Sequence, residues 1–415
     1  MMTCLLCEVT MVETIITFPK TPLANELLDF DAKKKGIEQT FFPLNLGICL
    51  NCGHIQLTHL IEPALLFKNY PYLSNSNDQT ARRFLGLSKE FNEKYSKAAS
   101  KFVLEIGSND GHLLSILKLN GWDVLGIDPS KKASAIATSL GVENICDFFS
   151  SRLAEKIQKE YGYPNLIIAN NVLAHTNKMH DIFLGLSLLM NLDSLFVMEF
   201  SYALDIYENL LFDTIYHEHM SYHSIHPLTK FLKRYGLVIV DVIRFSSHGG
   251  SARIYVRKDQ SNLLISNSVS EALDLEQRIN LTGRESWKEF ESRLNSLKGT
   301  VNEALQKIKS EGKSIVGYGV PAKFTTLFYI LELKEIFFDY MVDDNPLKQG
   351  HFAPGTNLEI FPVQKLINDN IDYIFVFSWN YADEIYLKIV NNSLCKIGVI
   401  IPLPAFIIQD LNYEL

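Results

Sequence analysis

The chain has 415 residues, more than one ordinary core accommodates, so two to four domains are expected at roughly 100–200 residues each. Hydrophobic residues make up 47% and charged residues 21%, which excludes an extended disordered chain. A net charge of −8 argues against a general nucleic-acid binder, which needs a basic face to displace counterions, but leaves room for a small anionic ligand in a locally basic pocket.

The N-terminus, Met1-Met2-Thr3-Cys4, has no basic segment followed by an apolar run, so no signal peptide is expected. The uncharged apolar run Ile397–Ile408 covers 12 residues and holds Pro402 and Pro404, well short of the roughly 20 a membrane span needs. Six cysteines in so long a chain do not make a disulfide scaffold. The expectation is a reduced, cytoplasmic protein with neither membrane nor nucleic acid as partner.

Four cysteines crowd into the first 52 residues, as Cys4-x-x-Cys7 and Cys49-x-x-Cys52 with 41 residues between the pairs. Two residues between cysteines let both thiolates face one ion from a tight turn, and Gly53 follows the second pair. Redox CxxC pairs usually come singly and open a helix after a strand, a pattern absent here. Two such knuckles predict a tetrahedral zinc site with four thiolate ligands and no open position, hence a structural metal.

From about Lys101 to Lys258 the chain alternates strands and helices. Phe102–Ile106 is a short apolar run, followed by Gly107-Ser-Asn-Asp-Gly111 and a helical stretch from His112. Trp122–Asp128, Leu166–Asn171 and Ser194–Glu199 are further strands, so crossovers and a parallel sheet are predicted. Between about Asn267 and Ser310 the pattern is charged and helical, a connecting helix or helix pair. Strands then resume at Ser314–Gly319, Ile336–Asp343 and Tyr373–Phe377, predicting a second, smaller doubly wound domain.

The turn Glu105-Ile-Gly107-Ser-Asn109-Asp110-Gly111 lets the backbone approach a ligand closely. Asp128 ends the next strand 17 residues after Gly111, where an acid can accept both hydroxyls of a ribose. NAD and S-adenosylmethionine both fit such a turn. Asn109 and Asp110 would crowd a pyrophosphate but suit the ammonium of S-adenosylmethionine, which is favoured; Asp147-Phe148 offers an acid for an adenine amino group beside an aromatic wall. The candidate cofactor set is completed by Asn170 and Asn171.

Tyr216-His217-Glu218-His219, followed by Tyr222, concentrates groups suited to general-base chemistry, since a histidine oriented by a carboxylate titrates near neutrality. A metal at His217-x-His219 would need a third ligand, with both rings on one strand face. Ser246-Ser-His248-Gly-Gly-Ser251 opens either a backbone nest for an anion, with Arg253 nearby, or an ordinary hairpin turn. Gly317-Tyr-Gly-Val-Pro-Ala-Lys323 follows a strand and places Lys323 as a phosphate contact, with Asp343 ending the next strand; the pattern lacks the full Walker motif, so no NTPase is expected. Trp287 and Trp379 are expected to pack, Lys33-Lys-Lys35 to be a solvated charge run, and Cys146 and Cys395 to be buried small apolar groups.

Together these stretches resemble the sugar C-methyltransferase family. The resemblance rests on Cys4-x-x-Cys7, Pro22-Leu-Ala-Asn25, Cys49-x-x-Cys52-Gly53, Tyr70-Pro-Tyr72-Leu-Ser74, Glu105–Gly111, Asn171-Val-Leu-Ala-His175, Tyr216–His219, His248-Gly-Gly-Ser251, Gly317–Lys323 and Val342-Asp343-Asp344-Asn345-Pro346, co-linear across the chain. It implies an α/β protein with a small zinc-binding domain (1–75), a doubly wound class I methyltransferase domain (76–265), a helical connector (266–310) and a C-terminal Rossmann-like nucleotide-sugar domain (311–415).

The implied reaction is S-adenosylmethionine-dependent methylation of a ring carbon, commonly C3, in a dTDP-linked 4-keto deoxysugar. His219 or Tyr216 would take the proton alpha to the ketone, Glu218 would orient the histidine or hold substrate, His175 would sit across the cleft, and Tyr70 would close over cofactor or sugar. Tyr72, Tyr222, His248, Lys323 and Asp343 complete the implied substrate side. Phe324-Thr325-Thr326 departs from the family's smaller, glycine-containing variants, which bears on nucleotide preference. An oxygen- or nitrogen-methylating enzyme and a non-catalytic binding module are the alternatives; the oligomeric state is left open.

Overall fold

A computed structural model describes residues 2–62, 66, 78–96, 101–391 and 397–409. Tyr70, Tyr72 and Cys395 lie outside them, and of His248 only the backbone is described.

The first sheet grows from the segment between the cysteine pairs. Strand β1 (Val12–Thr21) runs antiparallel to β2 (Phe42–Cys49), and β3 (Ile55–Leu57) continues the ladder. Val12, Ile16 and Phe18 are buried while their neighbours are not, the period of a half-covered strand. The fourth strand, Ser221–Tyr222, comes from far along the chain and pairs with β3 at Gln56 and Ile55. This pairing carries the Tyr216–His219 segment to the N-terminal sheet.

The central sheet contains β4 (Phe102–Ile106), β5 (Asp123–Ile127), β6 (Glu143–Ile145), β7 (Leu166–Asn170), β8 (Leu195–Ser201), β9 (Leu237–Phe245) and β10 (Ser251–Lys258). Their order is β9-β10-β8-β7-β4-β5-β6. Leu166–Ala169 and Leu195–Met198 are fully buried, as parallel strands covered on both faces require. The first five strands are parallel, whereas β10 runs antiparallel to both β8 and β9. The all-parallel expectation therefore stops at β8; the Ser246–Ser251 segment between β9 and β10 is a hairpin turn, too short for a crossover.

The connector is two helices, α1 (Asn267–Arg278) and α2 (Arg284–Ser310), broken at Ile279–Gly283 where Asn280 has φ +51°. It is packed, not solvated. Trp287 is fully buried and donates to the Leu281 carbonyl at 2.9 Å, and the buried Glu276 accepts from Tyr202 Oη at 2.6 Å and from the Ile225 and His226 amides.

The third sheet has the order β13-β12-β11-β14-β15-β16, with β11 (Ile315–Tyr318), β12 (Met341–Val342), β13 (Ile360–Phe361), β14 (Tyr373–Val376), β15 (Gly398–Ile401) and β16 (Ile407–Gln409). All pairs but the last are parallel. The strand expected over Ile336–Asp343 shrinks to β12, and Glu335–Phe337 is a 3₁₀ turn. The turn buries Phe337 and Phe338 and leaves Ile336 exposed. A strap from the N-terminal part crosses to this unit: Leu28–Asp29 pairs with His351–Phe352, and Lys33, expected in solvent, donates to the Thr356 carbonyl at 2.9 Å.

Candidate functional site

In the central sheet the chain leaves β4 for β5 on one side, while β7 lies on the other, so the strand order reverses between β4 and β7. Ligands of doubly wound sheets sit at the carboxyl ends of such strands. Here that crevice is lined by the Gly107–Gly111 turn after β4 and by Asn170 and Asn171 after β7. Gly107 has φ +69°, and a Cβ there would lie 2.3 Å from Val172 Cγ2; Gly111 has φ +71°, with Ala137 Cβ at 2.9 Å. Neither position accepts a side chain, and Asn109 is also left-handed at φ +50°.

Asp128, at the end of β5, accepts the Asn109 amide at 2.9 Å and the Ser130 amide at 2.8 Å. Burial raises its carboxyl above the usual range, and these two amides pull it back. Glu105 is buried and pushed well above the usual range, first by burial and then by Asp110, against the pull of Arg83. One Glu105 oxygen and both amide atoms of Asn170 are buried without a hydrogen-bond partner among the described residues. Buried polar atoms rarely stay unpaired. Acceptors and donors left open at the switch point, beside glycines that keep the backbone bare, fit the amino-acid and ribose portions of S-adenosylmethionine. Asp147 and Phe148 are exposed on the loop after β6, where Asp147 accepts the Phe148 amide.

Residues not singled out from the sequence support this crevice. Glu199 on β8 is fully buried and meets Arg253 at 2.6 Å and Arg83 at 3.2 Å. Arg253 also reaches Glu90 at 2.9 Å, so it is committed to this network and does not serve an anion at Gly249-Gly250. Arg83, next to Arg82 on helix Asp78–Lys94, carries no spacing signal that could have revealed it.

The Tyr216–His219 segment lies beside the loop after β7. Met220 donates its amide to the Ala174 carbonyl at 2.7 Å, which joins the two loops. His219 donates from Nδ1 to the Thr214 carbonyl at 2.7 Å, leaving Nε2 to accept from Tyr216 Oη at 3.1 Å. The proton is assigned to Nδ1 from this network, because a carbonyl only accepts. The His175 and His219 rings meet with centroids 4.8 Å apart. Burial pushes His175 down to about 4, partly offset by backbone bonds to Glu218 and Asn171. Glu218 is buried and accepts from Asn25 Nδ2 at 3.4 Å. Tyr222 is fully enclosed on the strand paired with β3, and burial holds its phenol well above the usual range.

His217 and His219 do not share a face. His217 Nε2 turns to the Pro43 carbonyl at 3.1 Å, because the segment is a loop and not a strand, so the two rings do not converge on an ion. Lys323 pairs with Asp213 at 3.2 Å, and Asp343 accepts from the Val320 amide at 2.7 Å, the Asn345 amide at 2.9 Å and Lys348 at 3.2 Å. Both therefore have protein partners within the C-terminal turns and the loop before Tyr216. The His248 backbone lies in the β9–β10 hairpin turn. Trp379 packs, as expected, and also donates from Nε1 to Asp213 at 2.7 Å. Cys146, expected inside, is exposed on the loop after β6.

The four N-terminal cysteines are buried, and their Sγ atoms all lie within 4.8 Å of one another. Cys4–Cys52 is 3.6 Å and Cys7–Cys49 is 3.4 Å, against roughly 3.8 Å for sulfurs sharing a tetrahedral zinc with bonds of about 2.3 Å. The hydrogen bond from Cys52 holds Cys4 down at about 5, while burial pushes Cys49 up to about 11. The cluster fits one zinc ion, whose charge would let the remaining thiols ionise. Among the described residues no other group of three or more His, Cys, Asp or Glu gathers in this way.

Comparison with known proteins matches three family models in chain order: a zinc binding domain over residues 4–67, a methyltransferase domain over 77–242, and a C-methyltransferase C-terminal domain over 246–404. C-methyltransferase NovU of Streptomyces niveus is 30% identical over 371 residues, 89% of this chain and 88% of that protein. Among solved structures, magnesium protoporphyrin IX methyltransferase from Synechocystis PCC 6803 with bound SAH is 16% identical, covers 45% of this chain and 89% of its own, and has a TM-score of 0.35. An S-adenosylmethionine-dependent methyltransferase from Clostridium acetobutylicum is 14% identical, with 44% and 96% coverage and a TM-score of 0.36. The chain belongs to the C-methyltransferase family, and is an S-adenosylmethionine-dependent methyltransferase with an N-terminal zinc-binding domain.

Proposed function

We propose that the chain methylates the ring carbon alpha to the ketone, C3, of a dTDP-linked 4-keto deoxysugar, in deoxysugar, polysaccharide or natural-product biosynthesis in the cytoplasm. The observation that carries this reading is the Tyr216–His219 pair, whose Nδ1 is committed to the Thr214 carbonyl so that Nε2 stays basic.

A carbon beside a ketone is acidic because its carbanion delocalises onto oxygen. His219 takes that proton at Nε2, directly or through Tyr216, whose hydroxyl passes its own proton to Nε2 as it accepts the one from carbon. His175, neutral because burial holds it near 4, bonds to the backbone at Glu218 and Asn171 and backs the His219 ring from across the site. Glu218, held by Asn25, positions the sugar. S-adenosylmethionine, when bound, supplies the methyl group. The residues around Gly107, Asp128 and Asn170 hold it so that donor and acceptor carbons approach to roughly 3–3.5 Å. In this reading the chain divides into zinc-binding (1–75), methyltransferase (76–265), connector (266–310) and nucleotide-sugar (311–415) parts.

The test is a mass-spectrometric assay of purified protein with S-adenosylmethionine and a dTDP-4-keto-2,6-dideoxy sugar in deuterated water. The expected result is a product heavier by one methylene, with solvent deuterium entering at the carbon beside the ketone. Exchange without methylation would move the acceptor to a related sugar. Neither signal, from protein that binds S-adenosylmethionine, would overturn the sugar reading.

A further inference from the structure

Asp213 lies six residues before His219, on the 3₁₀ turn Phe212–Thr214, and is fully buried. Its partners come from the third sheet. Trp379 Nε1 donates to Oδ2 at 2.7 Å, Lys323 Nζ meets the same oxygen at 3.2 Å, and Thr326 Oγ1 donates to the Asp213 carbonyl at 2.8 Å. The Lys323 ammonium also lies 5.2 Å from the Trp379 ring. The β9–β10 hairpin closes on the same indole, since a Cβ on Gly249 would come within 2.8 Å of Trp379 Cη2.

The place these groups occupy in the fold is informative. Lys323 follows β11 and Trp379 follows β14; these strands are neighbours, and β12 lies on the other side of β11. This is the strand-order reversal of the C-terminal sheet, the position where doubly wound sheets receive a ligand. Here the chain's own carboxylate enters it. The next residue, Thr214, carries the carbonyl that accepts His219 Nδ1 at 2.7 Å.

We propose that Asp213 is a positioning residue: docked in the C-terminal crevice by Lys323 and Trp379, it fixes the Thr214 carbonyl and so sets the tautomer and direction of His219. The C-terminal part thereby acts on proton abstraction without touching substrate through these residues. This inference rests on His219 as the base.

The test uses full-length Asp213→Asn and Trp379→Phe, the latter deleting only the N–H donor and part of the ring, with His219→Asn as reference. The affinity and KM for S-adenosylmethionine are expected to match wild type. Both kcat and deuterium exchange at the alpha carbon of the dTDP-4-keto-2,6-dideoxy sugar are expected to fall together, by about 10–100-fold, the cost of a misplaced catalytic group. A KM for S-adenosylmethionine that rises in step with the loss of kcat would mean general loosening and would overturn the proposal. So would wild-type kcat in Trp379→Phe, which decides the matter if Asp213→Asn does not fold. Wild-type exchange in His219→Asn would overturn the base assignment and this inference with it, whereas an inactive His219→Asn beside a fully active Trp379→Phe would overturn the positioning role alone.

Discussion

His175 and His219 meet ring against ring, centroids 4.8 Å apart at an interplanar angle of 65°, although 43 residues separate them in the chain. The Met220–Ala174 backbone bond holds their loops together, so the two imidazoles pack directly against each other. Replacing His219 with Asn keeps a polar side chain of similar size but removes the proposed base. Turnover is expected to fall by on the order of 10²–10⁴ while S-adenosylmethionine binding, measured by calorimetry, stays at the wild-type value. Near-normal turnover would transfer the base role to Tyr216.

Gly107 and Gly121 both have positive φ, +69° and +81°, yet only Gly107 is crowded. Nothing lies within 4 Å of a Cβ at Gly121, so Gly121→Ala is expected to cost only the left-handed backbone strain, about 1–2 kcal/mol. Gly107→Ala adds a 2.3 Å contact with Val172 and pushes on the turn proposed to hold the cofactor. It is expected to weaken S-adenosylmethionine binding at least tenfold, a change of about 1.4 kcal/mol, and to destabilise the fold more than Gly121→Ala does. Equal affinities in the two variants would refute the cradle assignment.

Zinc analysis of unfolded, thiol-blocked protein is expected to release one equivalent from wild type and almost none from Cys49→Ser, because a structural site needs all four thiolates. The melting temperature is expected to fall in the same variant, since metal binding contributes folding free energy to the first sheet. Cys146→Ser, on the exposed loop after β6, serves as the control and leaves both zinc content and melting temperature unchanged. Full zinc retention in Cys49→Ser would exclude the four-cysteine site.

His223 is fully buried between Phe200 and His54, and burial pushes its ring down to about 4, partly offset by the Leu173 carbonyl. Its folded value lies below the ordinary one, so the unfolded chain takes up the proton first as pH falls. Stability is therefore unaffected above about pH 6.5 and is lost between there and about pH 4. Glu105 and Asp128, raised by burial, titrate with the opposite sign but are common to wild type and variant. Urea unfolding at pH 7.5 and 4.5 is expected to show His223→Phe gaining on wild type by about 2–3 kcal/mol at the lower pH. Parallel profiles would show that His223 does not carry the acid sensitivity.

Local pattern alone determined a good deal of this protein. The two Cys-x-x-Cys pairs predicted one cluster because thiol spacing within a knuckle is a local property, and the thiols do converge across 41 intervening residues. The runs at Phe102, Leu166 and Tyr373 appeared as strands because a strand buried on both faces is continuously apolar. What the tertiary structure decided depends on partners distant in sequence. The reversal of β10 followed from a hairpin turn that two glycines alone left open, and Ile336–Phe338 left the expected strand for a 3₁₀ turn that buries both phenylalanines and exposes Ile336. His217 and His219 parted because one faces Pro43 and the other Thr214. Asp213 carried no motif at all; a buried carboxylate is legible only when its partners are known, and the Lys323 ammonium and the Trp379 N–H stand 110 and 166 residues away. Periodicity reports which face a residue turns inward, whereas charge compensation in a low-dielectric interior is settled by whichever groups the fold brings within reach.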